Sequence, residues 1–470
     1  MEQQSSSPCH ENYIDSNNNK NSQPPPHSNS KKRPRSCYHC GNTNHRAKNC
    51  PTAKCQLCGK LGHSTGGCPS KPPPPVDRGQ FSAIDVKAAP SFTFCELFAG
   101  MGGFRVALDK LGGHCVFASE VDRFCRRNYE ANFGGDRPAG DITQIPSDDI
   151  PHHDVLVAGF PCQPFSSSGT QQGMKDAKGL LFREIVRIVQ HKQPKAFLLE
   201  NVRGLLLHDK GKTLKIVVEE LEECGYKVQW EILDVVKLLP QERARLYIVG
   251  IRSDLCNNIK KNGSSFSYKF PNIPDLKRGV QDILEQDLSQ SDLATLTLTP
   301  HQVSKVQSQN YTQQHPEARF LSNLASPTKT LQSSYTSYMV GSQFVPVYFD
   351  DNNNLPQQDP KWRRFSPREA ARLQGFPETF VLCKERPYHL IGNAVAPPMI
   401  AMITAPILSR IGVHANPVGD NDDNQKDSST YTNEWGWSVA KDMLLEACPN
   451  DKRRVDLQRK LEAVSGLGDS

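Results

Sequence analysis

Between Phe92 and Ile251 short apolar runs alternate with stretches of helical spacing. Phe92–Leu97, Cys115–Ser119, Val155–Ala158 and Ala196–Glu200 are apolar almost throughout, as strands buried on both faces are. Phe104–Leu111, Leu180–His191 and Lys212–Cys224 lie between them and carry apolar residues at three- and four-residue intervals. Strands that alternate with helices are joined by crossovers. The pattern therefore predicts an α/β fold with a Rossmann-like, mostly parallel sheet covered on both faces. Tyr226–Leu233 and Ala244–Ile251 predict two further strands joined as a hairpin.

After Arg252 the periodicity fades into irregular, polar text. It returns at Ser366-Pro367-Arg368-Glu369, where Ser is placed to cap a helix, Pro to open it and Glu to close a capping box. Gly375-Phe376-Pro377 is expected to brace the fold. Another helix is expected from near Ala396 to about Arg410. Residues 415–432 are polar and loose, and Trp435–Leu467 has room for an amphipathic helix to which the sequence gives no role. No apolar run is expected to approach the roughly 20 residues of a membrane span, and the first thirty residues are polar, so a soluble intracellular protein is expected.

Residues 1–35 are rich in Asn, Ser, Gln and Pro and are expected to be disordered. The run Lys31-Lys32-Arg33-Pro34-Arg35 that ends them suits either phosphate contact or a nuclear localisation signal, and a nuclear location is expected. The net charge of +6 is modest, but Lys31–Pro75 holds nine Lys/Arg and no Asp/Glu. Of the fifteen cysteines, six fall in this basic region. They form Cys37-x2-Cys40-x4-His45-x4-Cys50 and, with the same spacing, Cys55-x2-Cys58-x4-His63-x4-Cys68. Three thiolates and an imidazole are a tetrahedral zinc set, and units this small must take their folding free energy from the metal. They resemble the CCHC zinc knuckles of retroviral nucleocapsid proteins. That resemblance implies two structural Zn²⁺ ions and single-stranded RNA or DNA as the ligand. Knuckles at 36–52 and 53–70 then lead through a proline-rich linker, 71–91, into the α/β region.

Phe98-Ala99-Gly100-Met101-Gly102-Gly103 follows the first strand and precedes a helix, so the chain can approach a nucleotide-like ligand closely. The second strand ends at Ser119-Glu120-Val121-Asp122, where an acid can reach ribose hydroxyls, and Gly140-Asp141-Ile142 supplies a further carboxylate. These residues indicate an adenosine-containing cofactor and leave S-adenosylmethionine and NAD both open. Beyond the next strand stands Gly159-Phe160-Pro161-Cys162-Gln163-Pro164-Phe165-Ser166, which sets Cys162 in a loop where open α/β sheets carry their chemistry. Glu200-Asn201-Val202 ends the following strand, and Gln241-x-Arg243-x-Arg245 opens a later one.

Taken in order, these segments with Arg-Leu-Gln-Gly-Phe-Pro and Gly-Asn-Ala-Val resemble the motifs of cytosine-5 DNA methyltransferases over residues 92–411. The resemblance implies S-adenosylmethionine as methyl donor, a target-recognition region at about 253–361 and a C-terminal tail at 412–470. It implies that Cys162 adds to carbon-6 of a cytosine flipped out of double-stranded DNA. Glu200 would protonate or hydrogen-bond ring nitrogen N3, Arg243 and Arg245 would hold the base and nearby loop, and Asn201 would support the Cys162 loop. Ser166–Lys175 would be a lid. The cofactor positions carried over are Phe98, Gly100, Met101, Gly103, Glu120, Val121, Asp141, Ile142, Gly159, Leu181, Asn393 and Val395. The last two require the C-terminal helix to fold back toward the first strand. Two other readings are an RNA methyltransferase and a catalytically dead binding protein. The RNA branch carries Cys-Phe-Thr, where this chain has Ser334-Tyr335-Thr336. Intact Cys162, Glu200 and Arg245 argue for an active enzyme.

Overall fold

The computed structural model describes residues 91–161, 181–257, 268–315, 319–338, 342–347, 361–413 and 428–465. The expected tail, knuckles and linker lie outside the described residues, as do Cys162 and the Ser166–Lys175 segment.

A six-stranded sheet forms the centre. Its strands are β1 (Phe92–Leu97), β2 (Gly113–Ser119), β3 (Val155–Gly159), β4 (Ala196–Val202), β5 (Tyr226–Asp234) and β6 (Ala244–Arg252). The order is β2-β1-β3-β4-β6-β5, with only β6 antiparallel to its neighbours. The expected hairpin is present, and β6 inserts between β4 and β5. Helices α1 (Gly103–Lys110), α2 (Arg123–Asn132), α3 (Leu181–Lys192), α4 (Gly204–Leu207) and α5 (Lys212–Glu223) connect the strands. The chain leaves β1 toward β2 and returns past β1 to β3. This reversal opens a crevice between the carboxyl ends of β1 and β3, the ligand position of open α/β sheets.

Side-chain alternation splits the sheet into two buried faces. Cys95, Leu97, Leu156, Ala158, Phe197 and Leu199 pack against α3 and α5. Phe92, Phe94, Val155, Val157, Ala196 and Leu198 pack on the opposite side, in one core with α1 and the C-terminal helices. Glu200 and Arg245 continue the second alternation, so both belong to that side.

The sequence reading missed α2 because two of its three buried residues, Asn128 and Asn132, are polar. Asp122 caps it by accepting the amides of Phe124 and Cys125. Asn128 Oδ1 accepts from the Cys383 amide at 2.6 Å and Asn132 Oδ1 from the Val381 amide at 2.8 Å. These side chains satisfy backbone groups that burial would otherwise leave unpaired.

Among the described residues, the region expected to recognise the target holds short pieces, α6 (Ser253–Asn257), α7 (Gln290–Leu296), α8 (Pro300–Gln307), α9 (Asn310–Gln314) and β7 (Val345–Pro346), which pairs with β8 (Trp362–Arg363). It is tied to α10 (Pro367–Leu373), whose capping box forms as expected: Ser366 and Glu369 each accept the other's amide. Glu369 also takes the buried Arg363 guanidinium in two bonds of 2.7 and 2.8 Å and the Glu285 amide at 2.8 Å. A charge as deeply buried as Arg363 is tolerable only when paired in this way. Gly375, at φ 78°, turns the chain after α10 so that Phe376 packs on Phe380 with centroids 4.6 Å apart. The brace expected of this segment is present.

Helices α11 (Pro387–Asn393) and α12 (Pro397–Arg410) follow. Contrary to expectation, Pro387–Arg410 is apolar and long enough to cross a membrane, but 94% of its most apolar window is buried in protein. The cover comes from α13 (Ser428–Glu446) and α14 (Asp451–Ser465): the stretch Trp435–Leu467, read as having room for a helix without a role, is largely helical, and its role is to cover α12. Their Met443, Leu444, Leu457 and Leu461 belong to the core shared with α12. At roughly 1.5–3 kcal/mol for each buried side chain, the pair is integral to the catalytic unit. α12 was legible from its apolar run; the helical character of 435–465 was legible too, but its role was not, because its apolar residues face a surface visible only once α12 is placed.

Candidate active site

The loop after β1 turns on left-handed backbone at Phe98 (φ 54°), Gly100 (φ 57°) and Gly102 (φ 91°). For Phe98 this conformation is strained, and such strain gathers at ligand sites. A Cβ at Gly100 would meet nothing within 4 Å, which leaves the space above that backbone open. Gly103 has a different task. Its Cβ would stand 2.7 Å from Val395 Cγ2 and 2.9 Å from the Val395 carbonyl oxygen. The C-terminal segment thus folds back onto the start of α1, as the positions of Asn393 and Val395 required. Asn393 is exposed there, while Val395 and Met101 are buried.

Glu120 lies across the crevice rim. Its Oε2 accepts the Gly100 amide at 2.8 Å and its Oε1 the Asp122 amide at 2.7 Å. Burial raises its carboxyl above the usual range, and the two amides oppose the shift. Each oxygen keeps a further lone pair for a hydroxyl donor. Val121 beside it is 74% exposed, an unusual state for a large apolar side chain and apt for a ring laid against it. The Glu120 amide donates to Ala139, which brings Asp141 and Ile142 alongside. Asp141 accepts the Thr143 amide and hydroxyl, and Ile142 is buried. Leu181, half-buried, opens α3. The crevice thus offers open backbone, an apolar wall and a fixed carboxylate, a set that fits the adenosine and methionine parts of S-adenosylmethionine.

The proposed chemistry stands on the next strands. Gly159 is the register partner of Glu200, and a Cβ on Gly159 would lie 3.8 Å from Glu200 Oε2. Cys162 follows Pro161 in the chain, three residues beyond that pairing. Asn201 Nδ2 donates to the Phe160 carbonyl at 3.2 Å, the loop-supporting role expected of it. Arg245 Nε meets Glu200 Oε1 at 3.1 Å. Burial pushes the Glu200 carboxyl above the ordinary range, while Arg245 and then Arg243 pull the other way. A carboxyl under these opposed forces can hold a proton and yet release it, as a general acid must.

Arg243, expected with Arg245 to hold the base and the nearby loop, holds loop carbonyls. It is buried and donates to the Gly392 and Ala394 carbonyls at 3.1 and 2.7 Å and to Leu331 at 3.4 Å. Its targets Leu331 and Ala394 belong to the core that also takes Tyr247 and Val249 of β6, so Arg243 faces the same side as Arg245. Gln241 acts similarly, donating to the Leu373 carbonyl and accepting the Leu331 amide. Together they brace the Leu331 segment, the end of α10 and the α11–α12 junction against the sheet.

One group escaped the sequence reading. Glu96, inside β1, is fully buried; its Oε2 accepts from the Tyr129 hydroxyl at 3.0 Å. Arg105 reaches Tyr129 at 3.3 Å and Asp136 at 2.8 Å. Burial pushes the Glu96 carboxyl up to about 8, against the Tyr129 hydrogen bond. An acid within the apolar run Phe-Thr-Phe-Cys-Glu-Leu was the available signal.

The model of C-5 cytosine-specific DNA methylases matches residues 92–409, and that of the zinc knuckle matches residues 35–52. The Type II methyltransferase M.DsaV of Dactylococcopsis salina is 38% identical over 323 residues, 68% of this chain and 86% of that protein. M.HhaI of Haemophilus parahaemolyticus is 34% identical over 323 residues, covering 66% of this chain and 93% of its own. Among solved structures, the Entamoeba histolytica methyltransferase EhMeth matches with a TM-score of 0.52 at 15% identity, covering 67% of this chain and 98% of that one. A Spodoptera frugiperda DNMT2 mutant matches at 0.51 and 20%, covering 68% and 98%; identities this low speak for the fold alone. The chain belongs to the C-5 cytosine-specific DNA methylase family and is an S-adenosylmethionine-dependent DNA (cytosine-5-)-methyltransferase.

Proposed function

We propose that the enzyme methylates carbon-5 of a flipped-out cytosine through a covalent adduct with Cys162. The observation that carries this reading is the register of Gly159 with Glu200, with Arg245 on the same carboxylate. It brings the chain leading to Cys162 and a proton-holding acid to adjacent strand ends. The Cys162 thiolate forms a bond to carbon-6 while Glu200 delivers its proton to N3, so the ring accepts the electron pair. Carbon-5 becomes nucleophilic and takes the methyl group, the donor's sulfur leaving as a neutral thioether; water then accepts the carbon-5 proton, the Cys162–carbon-6 bond breaks to return the thiolate, and N3 gives its proton back to the Glu200 carboxylate, which restores the aromatic ring. Arg245 keeps the Glu200 carboxyl oriented and limits how far burial raises its proton affinity. Because carbon-6 is stacked inside a duplex, the base must leave the helix to reach Cys162.

S-adenosylmethionine, when bound, supplies an electrophilic methyl group. Gly100, Met101 and Phe98 would line its approach, Glu120 would take its ribose and Val121 its adenine. Asp141, Ile142, Gly159, Leu181, Asn393 and Val395 would complete the enclosure, with Gly103 making room for Val395. At the N-terminus, we propose that both CCHC units hold zinc and bind single-stranded nucleic acid, and that Lys31–Arg35 directs the protein to the nucleus. Two formal negative charges on the zinc centres leave that nine-cation segment basic.

Replacing Glu200 by Gln keeps the shape and a hydrogen-bond donor but cannot deliver a proton. Glu200→Gln should slow methyl transfer while S-adenosylmethionine affinity stays near wild type. A large loss of cofactor binding in a folded variant would place Glu200 at the wrong ligand.

A further inference from the structure

We propose that Arg187, on α3, is a positioning residue for the adenosine end of the cofactor: its guanidinium holds the Asp141–Ile145 turn at the rim of the crevice. The proposal rests on the cofactor reading of Asp141 and Ile142 above and adds what sets their place.

The Glu120 amide donates to the Ala139 carbonyl at 2.9 Å, which lays the following residues beside Glu120 and Val121. The chain then makes a single 3-10 turn, Ile142–Gln144. Asp141 starts it by accepting the Thr143 amide at 3.0 Å, and the Gln144 and Ile145 amides close onto the Asp141 and Ile142 carbonyls at 3.0 and 3.2 Å. One turn of this kind has too few bonds of its own to hold a place relative to the sheet.

The bonds that place it come from α3. Arg187 Nη2 donates to the Ile142 and Ile145 carbonyls at 3.2 and 3.1 Å, and Nη1 donates to the Ser147 hydroxyl at 2.6 Å. Its Nε is held in turn by Glu184 Oε2 at 2.9 Å, three residues earlier on the same helix. The rigid fork of a guanidinium thus spans acceptors at both ends of the turn, a geometry that a single ammonium does not reproduce. Arg187 is half-buried and lies off the apolar face of α3, which consists of Phe182, Ile185, Ile188 and Val189. That face packs with Ile142 in one core, so α3 does not need Arg187 in order to dock. Beyond the turn, His191 Nε2 meets Asp148 Oδ1 at 2.8 Å, which keeps the rest of the loop on α3 without Arg187. What Arg187 adds is the exact position of the turn. Since α3 also opens with Leu181, one helix sets two parts of the cofactor wall.

Arg187→Met keeps the apolar stem and removes every donor. Calorimetric titration should show affinity for S-adenosylmethionine and S-adenosylhomocysteine falling together by about tenfold, the scale of a lost charge-assisted hydrogen bond. The KM for S-adenosylmethionine should rise by a similar factor, while kcat at saturating cofactor and the KM for duplex DNA stay near wild type. Arg187→Lys should recover part of the loss, and Ser147→Ala, which removes one bond, should weaken binding about threefold. Asp141→Ala added to Arg187→Met should cost less than the product of the two separate losses, because both act through one turn. A folded Arg187→Met protein with wild-type cofactor affinity, or losses that multiply in full, would overturn the positioning role. If Arg187→Met does not fold, wild-type affinity in Ser147→Ala overturns it instead. An Asp141→Ala enzyme that binds the cofactor as tightly as wild type would overturn the underlying cofactor reading.

Discussion

Gly103→Ala is the sharpest test of how the C-terminal segment meets the first strand's loop. Gly103 opens α1 with ordinary backbone, so alanine is conformationally welcome and by propensity would gain up to about 1 kcal/mol. The obstacle is wholly tertiary. The new methyl would be 2.7 Å from Val395 Cγ2 and 2.9 Å from the Val395 carbonyl oxygen. The side chain could rotate away, but the carbonyl is backbone fixed by its neighbours: the adjacent Ala394 carbonyl accepts from buried Arg243 at 2.7 Å. Overpacking of this kind costs roughly 1–3 kcal/mol, so a net loss of about 1–2 kcal/mol is expected. Relief would come from moving Val395 and Asn393 outward, and both are assigned to the cofactor. If that displacement must be reversed on binding, S-adenosylmethionine affinity should fall about five- to thirtyfold. Calorimetric titration and a thermal melt read the two effects separately. Val395→Ala placed on Gly103→Ala should restore only part of the loss, since it removes the Cγ2 contact and leaves the carbonyl. A Gly103→Ala protein that melts higher than wild type and binds the cofactor equally well would refute this packing and the placement of Val395.

Glu96 makes stability depend on pH. Its folded value of about 8 exceeds the ordinary 4.5, so its contribution is fully present below about pH 4.5 and is lost as pH rises through 8. Wild type should therefore lose up to about 1.4 kcal/mol per pH unit relative to Glu96→Gln across that window; denaturant unfolding at pH 6, 7 and 8 checks it, and parallel curves would contradict it. The segment Lys31–Pro75 should bind two zinc ions and unfold on chelation, and its affinity for single-stranded RNA or DNA should drop steeply with salt. Binding that ignores salt, or one zinc per segment, would reject the paired-knuckle reading.

The parts of this fold that were legible are those in which a residue's neighbours in sequence decide its environment. β1, β3, β4 and α12 are buried almost throughout and declare it by runs that are apolar at most positions. The α10 capping box is local chemistry and formed as read. α2, and the role of α13 and α14, were hidden for a common reason: their partners are distant. Asn128 and Asn132 make sense only opposite Val381 and Cys383, and the apolar residues of α13 only against α12. In the site, Glu200 and Arg245 came together because one strand register decides their distance. Arg243, two residues earlier and on the same side, holds carbonyls some 150 positions later, at Gly392 and Ala394, which no local pattern names. Glu96 was visible as a charged residue in an apolar run, yet its partners on α1 and α2 were not.

The most direct test of the central claim is covalent trapping on DNA carrying 5-fluorocytosine at the target position, in the presence of S-adenosylmethionine. Fluorine cannot leave carbon-5 as the proton does, so the adduct should persist through denaturation, and mass spectrometry should place the crosslink on Cys162. Cys162→Ala should give neither adduct nor methylated product. A stable adduct in Cys162→Ala, or a crosslink mapped to another residue of the wild-type enzyme, would contradict the account.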